Sequence, residues 1–562
     1  MVLHTTTEAN QAMNPGTFKS ALPALLLVTV VLVPFLGKAF TMDDTVFLFE
    51  ALHALTDPLH PTAFEMTWVH APERVSKIVP TGPVMAWLLV PSVLAGGSEW
   101  VAHAVQLVML WVAIVATVSL ALRLGLTAVW AGASGVMLVA MPAVLGMAGT
   151  AMPDVPAMAL GIAGIERLAA WRDERRVGQG IAAALLLGFA PLTRLHLIAL
   201  FGVAALLLIR DPFTPAGWKK TPVKRWVPLA AAPLIMVLLM IITHDSAPDS
   251  GNIAQAAIRY SAVKRMSSNI VAFSIHWVLA MAFALPWVAL RWRPILRRYW
   301  VVLGSTLGAA ALLHLAHGSD APYWAAPLAG LGAAVLVDVL VDGIRRRDGV
   351  QLALGLWLFL PLPTAIYIHL PAKFLVATAP AASILAARAM AEQPRVGKAV
   401  LAVTVALGMG LGVAILRADS AFSGLARTTS NTLIAPLVAQ GHHVWYVGHW
   451  GFQWYAEKAG ARYFTITPPH PAIGDLVVSS VNSEPSLEVE EMDGLVRMKR
   501  VEDRRPGGRI MSRKAGSGFF SNTWGYLPWA WGDDVIDAFD VWVVDPVPRL
   551  GLADRLRGSI PQ

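Results

Sequence analysis

Long apolar runs, each close to the length of a membrane span, fill most of the chain between residues 20 and 416. A helix that crosses the hydrocarbon core of a bilayer needs about 20 apolar residues. The runs that meet or approach this length are 20–38, 79–97, 100–122, 126–148, 154–171, 178–193, 194–209, 226–243, 270–290, 299–316, 322–341, 350–368, 373–391 and 398–416. The pattern predicts an all-α polytopic membrane protein over this part of the chain.

Short clusters of Lys and Arg separate many of these runs, as is typical of cytoplasmic loops. The clusters lie at 172–176, 219–225, 291–298, 345–347 and 395–398. Two runs separate each cluster from the next, so all of them can lie on one side of the membrane. The cluster at 172–176 lies on the cytoplasmic side if the run at 79–97, which prolines interrupt, lies in the membrane interface without crossing. The sequence then predicts about 13 transmembrane helices, with the N-terminus inside and the C-terminus outside.

Composition agrees with a membrane protein. The chain has 562 residues, of which 56% are hydrophobic and 14% charged, whereas soluble domains carry about 25% charged residues. The net charge of +8 lies in short clusters between apolar runs and does not indicate nucleic-acid binding. The chain has no Cys, so disulfides and thiolate metal sites are excluded. The first apolar run has no convincing cleavage site and is interpreted as a retained anchor.

Three regions follow from this pattern. Residues 1–19 are predicted to form a cytoplasmic tail, 20–416 the membrane body, and 417–562 an extracytoplasmic domain. Within the body, 38–99 is the first extracytoplasmic loop, with interfacial helices, and 244–269 is a further outer loop. A small α/β fold is indicated for the C-terminal domain by strands and a helix at 442–448, 452–460, 461–466 and 475–480. An aromatic, Gly-rich stretch at 516–532 fits either a membrane contact or a glycan contact.

Two adjacent carboxylates, Asp43 and Asp44, directly follow the first apolar run. Charged groups at a membrane boundary are costly, so a function is expected of them. They begin a stretch with helical spacing of apolar residues, and capping of that helix is the alternative role. Asp154 opens a later span from the outer side and has the same two interpretations. These three carboxylates are the predicted catalytic residues.

Four cations are predicted on the same outer side. Arg74 and Lys77 precede the interfacial run, Arg194 interrupts an apolar stretch at membrane depth, and Lys373 lies at a span end. Each can donate charge-assisted hydrogen bonds to a lipid phosphate, and contact with lipid head groups through an extended side chain is the alternative. We predict that the four bind the phosphate of a lipid donor.

Histidine side chains in the first loop and the C-terminal domain do not have the spacing of a known metal motif. The residues concerned are His60, Glu65 and His70 in the loop, and His442, His443 and His449 in the domain. We interpret the loop set as solvated and the domain set as structural, and predict no metal ligand among them.

Taken together, these features resemble the GT-C superfamily of membrane glycosyltransferases. The likeness is to bacterial members related to the protein O-mannosyltransferases and the lipid A aminoarabinose transferases. It rests on Asp43 and Asp44 after the first span, the long outer loop, Lys77 ahead of a Pro-containing apolar segment, and Asp154 at a span start. The segment VWYVGHWGFQWYAEKAG is also similar to segments of bacterial membrane proteins of this kind.

The resemblance implies transfer of a sugar from a polyprenyl-phosphate donor to a hydroxyl group of a lipid, glycan or protein. Asp43 would be the base or the acceptor-orienting group, Lys77 a contact of the lipid phosphate, and Asp154 a second carboxylate of the cavity. Many members have Asp-Glu at the acidic pair, which puts the role of Asp44 in question. Metal dependence varies among members, so a divalent metal is left open as a cofactor. The implied location is a bacterial inner membrane, with the active site and C-terminal domain extracytoplasmic.

Other classes of protein share part of this pattern. A secondary transporter should show repeated halves and polar residues at mid-membrane, whereas this chain has no internal repeat, places charge at the outer rim and adds a large outer tail. A ligase that modifies another lipid or polymer, and an inactive assembly scaffold, are the remaining alternatives. Sugar transfer needs a carboxylate for the acceptor and cations for the departing phosphate, and the predicted outer side carries both. No Gly-rich phosphate loop occurs on an inner segment, which disfavours a nucleotide-sugar donor.

Overall fold

The computed structural model describes residues 15–68, 71–78, 82–209, 211–214, 217, 222–245, 263–483, 487 and 489–545. Most of the predicted tail at 1–19 and of the predicted loop at 244–269 lies outside the described residues. The helices are α1 (Pro15–Leu32), α2 (Asp44–His53), α3 (Val75–Ile78), α4 (Val84–Leu94), α5 (Glu99–Arg123), α6 (Ala128–Val139), α7 (Pro142–Ala148), α8 (Asp154–Glu174), α9 (Val177–Phe189), α10 (Leu200–Ile209), α11 (Val223–Ile242), α12 (Val263–Val278), α13 (Ala284–Arg297), α14 (Tyr299–His317), α15 (Ala326–Arg346), α16 (Gly349–Trp357), α17 (Ala379–Glu392), α18 (Pro394–Thr429), α19 (Ala435–Ala439) and α20 (Trp450–Lys458).

Strands are concentrated after α19, apart from one hairpin in the first loop. They are β1 (Glu65–Thr67), β2 (Pro72–Arg74), β3 (Val444–Val447), β4 (Arg462–Tyr463), β5 (Leu476–Ser480), β6 (Leu495–Glu502), β7 (Gly507–Arg509), β8 (Met511–Ser512), β9 (Ser517–Gly518), β10 (Ala530–Gly532) and β11 (Ala538–Val544).

In the described part of the chain, eight helical segments are long and apolar enough to cross a membrane. They are Gly16–Phe35, Glu99–Arg123, Val223–Ile242, Tyr299–Asp320, Tyr323–Arg346, Gly349–Ile366, Ala372–Glu392 and Pro394–Ala439. Helices α6 and α7, which meet at an angle of 62°, make a ninth if they are counted as one span. The chain is thus mostly helical with many apolar spans, and the predicted count of about 13 is not confirmed.

Several predicted spans form shorter or more polar helices. Helix α4 has 11 residues, which is too short to cross a bilayer, in agreement with an interfacial position for 79–97. Helices α9 and α10 are two short helices that meet in turns around Arg194, as predicted. Helix α8 has 21 residues, but Glu166 and Arg167 interrupt its apolar sequence.

One predicted span is wrong as a continuous helix, because α12 ends at Val278 and α13 begins only at Ala284. The basic cluster at 291–298, predicted as a loop, lies largely within α13, which is kinked at Arg291, where φ is −122° and ψ is 24°. Arg291 is buried there because Asp338 and Asp342 of α15 pair with its guanidinium at 3.1 and 2.5 Å. The first residue of the basic cluster therefore lies at a kink in the helix and contacts a neighbouring helix.

The last predicted span, 398–416, is longer than expected. Helix α18 has 36 residues, so the predicted domain boundary at residue 417 falls inside it. The polar residues beyond that point have partners in the first part of the chain, since Asp419 pairs with Lys38 at 2.7 Å and Arg427 with Glu99 at 3.2 Å. Side chains that looked like the end of a span are therefore contacts between α18 and the segments that flank α1 and α5.

The C-terminal region forms a five-stranded mixed sheet in the order β4-β3-β5-β11-β6. Strand β3 pairs in parallel with β4 and β5, whereas β11 pairs antiparallel with β5 and β6. Helix α20 follows β3 and ends just before Gly460, whose φ of +92° favours glycine. The predicted strand–helix–strand order is confirmed, and Tyr446, Phe452 and Phe539 lie in its core.

Helix α20 attaches this sheet to the membrane body. The hydroxyl of Tyr455 accepts the backbone N–H of Phe40 at 2.8 Å and donates to Glu99 at 2.9 Å. The hydroxyl of Thr45 donates to the carbonyl oxygen of Trp450 at 2.6 Å. The C-terminal region therefore contacts both sides of the turn that carries the acidic pair.

Candidate active site

Asp43 and Lys373 form an ion pair across the fold. Carboxylate oxygen Oδ2 of Asp43 lies 2.7 Å from Nζ of Lys373, which sits in the turn that leads into α17. The Lys373 side chain is 4% exposed and that of Asp43 is 30% exposed. The two residues are 330 positions apart, so tertiary packing brings them together.

A second ion pair joins Asp154, the first residue of α8, to Arg194. The guanidinium donates from Nη2 at 2.8 Å and from Nε at 3.1 Å, one bond to each carboxylate oxygen. This two-point geometry fixes the orientation of both groups. The same guanidinium lies 5.3 Å from the ring centre of Phe374, the neighbour of Lys373. We call Asp43, Lys373, Asp154 and Arg194 the paired-charge site.

The cations of this site keep Asp43 ionised. Burial by itself raises the pKa of Asp43, but Lys373 and then Arg194 outweigh it and hold the pKa below the ordinary value of 3.8. Asp43 is therefore a carboxylate at neutral pH.

The side-chain contacts of Asp43 and Asp154 differ from those of residues that only cap a helix. Asp43 is the residue before α2, yet its side chain makes no capping hydrogen bond and is directed to Lys373. Both carboxylate oxygens of Asp154 are bonded to Arg194. Two of the three predicted carboxylates, Asp43 and Asp154, are thus paired with two of the four predicted cations.

Asp44 has a different position from Asp43. It is fully buried, and its two oxygens accept the backbone N–H groups of Thr41 and Ala151, each at 2.8 Å. Ala151 lies three residues ahead of Asp154, so Asp44 links the turn that carries Asp43 to the start of α8. Both Asp44 oxygens bind backbone N–H groups. This structural role agrees with the doubt about a catalytic role for Asp44.

Lys38 also stabilises the turn that carries Asp43 and Asp44. Its ammonium lies 2.7 Å from Asp419 of α18, and the other oxygen of Asp419 accepts the hydroxyl of Thr41 at 2.9 Å. The sequence did not indicate a structural role for Lys38, because a basic residue at the end of a first span usually contacts lipid head groups.

His369 is a further residue of the site that sequence reasoning missed. Burial first, and then Lys373, lowers the pKa of His369 to about 3, so the imidazole is neutral. Its Nδ1 lies 2.9 Å from the hydroxyl oxygen of Ser521 in the C-terminal region. The signal in the sequence was its position four residues before Lys373, beside a predicted phosphate contact.

The aromatic stretch at 516–532 lies against this part of the site. The side-chain oxygen of Asn522 accepts the backbone N–H of Leu370 at 2.9 Å, and its amide donates to Asn269 at 3.0 Å. Tyr526 lies 2.8 Å from both Ser268 and His317 through its hydroxyl. The stretch, which we call the C-terminal strap, therefore connects the His369 loop to α12 and α14.

Arg74 and Lys77 do not take part in these two ion pairs. Arg74 pairs with Asp245 at 2.8 and 3.1 Å and donates to the carbonyl oxygen of Ala63 at 3.0 Å. Lys77 is on α3 with its side chain exposed. Among the described residues, neither makes an ion pair with Asp43 or Asp154, and their phosphate contacts stay predictions.

The histidines show local roles. His60 pairs with Asp57 at 3.0 Å, Glu65 lies on β1, and His70 is outside the described residues. His449 stacks on Trp68 with ring centres 5.2 Å apart, in agreement with a structural role. In the described ranges no three His, Asp or Glu side chains are grouped as metal ligands.

Comparison with known proteins gives matches among solved structures only. No protein-family model matches the chain, and no curated protein matches it. The chain is similar to ArnT from Cupriavidus metallidurans bound to undecaprenyl phosphate, with 17% identity over 82% of this chain and 93% of that one, and a TM-score of 0.44. It is similar to the arabinofuranosyltransferase AftD from Mycobacteria, with 12% identity over 94% of this chain, 40% of that one, and a TM-score of 0.40. With TM-scores below 0.5, these likenesses do not establish a shared activity, and function has to follow from the residues of this chain.

Proposed function

We propose that this protein is a membrane glycosyltransferase that moves a sugar from a polyprenyl-phosphate donor to a hydroxyl group of a lipid, glycan or protein. The observation that carries the proposal is the paired-charge site, in which two carboxylates and two cations from four separate segments meet at the ends of apolar helices. Groups of both signs at one point suit a reaction that takes a proton from one partner and releases an anion from the other.

The reaction follows from these charges. The bond between the anomeric carbon and the phosphate oxygen breaks, and the phosphate oxygen keeps the electron pair. The acceptor oxygen forms the new bond to the anomeric carbon, and its proton passes to Asp43. Lys373 and Arg194 stabilise the negative charge of the departing lipid phosphate, and Asp154 holds Arg194 in place.

Helix α8 supports an extracytoplasmic site. Its 21 residues span about 30 Å at a rise of 1.5 Å per residue, which is the thickness of the hydrocarbon core. Asp154 is at one end and the basic cluster at 172–176 follows at the other. Because such clusters favour the cytoplasmic side, this order supports a paired-charge site on the outer side of a bacterial inner membrane.

The position of the charges also separates this proposal from a transporter. Asp154 and Lys373 lie at helix starts and Asp43 in a turn, whereas transport sites gather near the middle of the bilayer. A polyprenyl chain would lie along the apolar helices, with its phosphate at their ends.

The proposal is tested in cells that lack the protein. Mass spectrometry of lipid-linked sugars and of surface glycans should show an accumulated polyprenyl-phosphate sugar and a loss of the same sugar from an envelope acceptor. Expression of the wild-type chain should reverse both changes, and Asp43→Asn should reverse neither. Identical profiles with and without the protein would contradict the proposal.

A further inference from the structure

We infer that the donor phosphate and Asp43 compete for Lys373, so that donor binding transfers this ammonium from the carboxylate to the phosphate and releases Asp43 toward the acceptor. The inference rests on the proposed function and adds to it an order of events, donor before acceptor.

Exposure decides which partner of the ion pair moves. The Lys373 side chain is 4% exposed and lies between buried residues of its turn, while Asp43 is 30% exposed. A buried ammonium that is left without an anionic partner has a high free-energy cost. Asp43 can turn toward solvent or an acceptor by rotation of one short side chain, so the carboxylate is the mobile group and the ammonium the fixed one.

The backbone of Asp43 is held while its side chain turns. Asp44 accepts backbone N–H groups from Thr41 and Ala151, and Thr45 donates to Trp450. These bonds lie on both sides of Asp43 and involve three different segments of the chain. Release from Lys373 therefore redirects one carboxylate without unfolding the turn.

Charge gives the reason for the exchange. Two carboxylates and two cations make the paired-charge site neutral. A phosphate adds at least one negative charge, and a carboxylate and a phosphate on the same ammonium repel one another. The neutral imidazole of His369 does not offset this charge. Departure of Asp43 from Lys373 relieves the repulsion.

Arg194 behaves differently from Lys373. Its guanidinium uses Nε and one Nη2 hydrogen on Asp154, which leaves the two Nη1 hydrogens and the second Nη2 hydrogen for another anion. The planar group can therefore bridge a carboxylate and a phosphate. Asp154 stays bound as the donor arrives, and the exchange is confined to Asp43.

The exchange also explains how a paired carboxylate can serve as a base. Lys373 is the main group that lowers the pKa of Asp43 against burial. When the ammonium faces the phosphate, the pKa of Asp43 rises, and the carboxylate accepts a proton more readily. The base gains strength only when the donor is in place, which disfavours activation of an acceptor in its absence.

The test is a double-mutant cycle on binding of undecaprenyl phosphate to the full chain in nanodiscs. The four proteins are the wild type, Asp43→Asn, Lys373→Met and the double variant. Asp43→Asn should bind about tenfold more tightly than the wild type, because the competing carboxylate is gone. In the Lys373→Met background the same change should alter affinity by less than about twofold. Asp43→Ser and Lys373→Gln provide a second cycle with different packing, and size-exclusion profiles confirm folding of each protein.

Each result has one meaning. Unchanged or weaker binding by Asp43→Asn, with normal binding by the wild type, overturns the exchange and leaves the proposed function standing. A gain in affinity that persists with Lys373→Met also overturns it, because the effect is then one of overall charge. If none of the proteins binds undecaprenyl phosphate, the exchange and the proposed function both fail.

Discussion

The hydroxyl oxygen of Ser521 lies 2.9 Å from Nδ1 of His369, and through this contact the C-terminal region reaches the loop that carries Lys373. The adjacent Asn522 holds the backbone of Leu370 in the same loop. The C-terminal strap is therefore part of the surroundings of the proposed active site.

This contact gives a first prediction. Ser521→Ala removes one hydrogen bond to His369, and the turnover number should fall about fivefold, the equivalent of one such bond. Sugar transfer by purified protein in nanodiscs measures the effect. Ser319→Ala, an exposed serine beyond α14, is the matched control and should be active. Equal turnover of wild type and Ser521→Ala would show that the strap does not influence the reaction.

Asp44 should matter for stability. Asp44→Asn replaces one of two oxygens that accept the N–H groups of Thr41 and Ala151 with an amide donor. A buried N–H without an acceptor costs about 1–3 kcal/mol, so the unfolding temperature in detergent should fall. Glu73→Gln, an exposed change in the same loop, should leave the unfolding temperature unchanged. A variant at Asp44 with normal thermal stability would contradict the bracing role.

The stability of the chain should also depend on pH through Asp44. Burial raises the pKa of Asp44 from 3.8 to about 7, against the opposing influence of Lys38 and of two backbone N–H groups. Between these values the folded chain keeps a proton that the unfolded chain has lost, so this contribution is full below about pH 4 and disappears as the pH rises through about 7. Thermal unfolding of the wild type should lose stability over this range relative to Asp44→Asn. A constant difference between the two proteins would contradict the assignment.

Arg194 and Arg74 should differ in their effect on the donor. Arg194→Gln removes a cation of the paired-charge site and should weaken undecaprenyl phosphate binding by about tenfold or more. Arg74→Gln breaks the pair with Asp245, and its main effect should be on the unfolding temperature. Binding measured for both variants by the same method separates these outcomes. A larger loss of affinity in Arg74→Gln than in Arg194→Gln would move the phosphate site to the first loop.

Much of this architecture could be predicted from patterns along the chain. Apolar runs predicted a body of membrane helices, and short segments around Val444 and Leu476 predicted strands. The role proposed for Asp43 was suggested by its unusual place beside a span. The contact with Lys373 could not be predicted, because it joins residues 330 positions apart and depends on the packing of the helices between them.

Charged residues were misleading as sequence signals where residues distant in sequence pair with them in the folded chain. Arg291 was assigned to a loop, yet it lies at a kink within α13, where two carboxylates of a neighbouring helix pair with it. The predicted boundary at residue 417 placed Asp419 outside the membrane body, yet Lys38 pairs with it inside the fold. The bracing role of Asp44 was hidden for the same reason, since its partners are backbone groups that have no signature in the sequence.

The most direct test of the central claim is the rate at which purified protein in nanodiscs transfers sugar from a polyprenyl-phosphate donor, with the wild type, Asp43→Asn and the loop control Asp57→Asn compared. The donor is taken from the lipid that accumulates in cells lacking the protein. We predict that Asp43→Asn is at least about 100-fold slower although it binds the lipid phosphate, and that Asp57→Asn is as fast as the wild type. Transfer by Asp43→Asn at the wild-type rate would contradict the account.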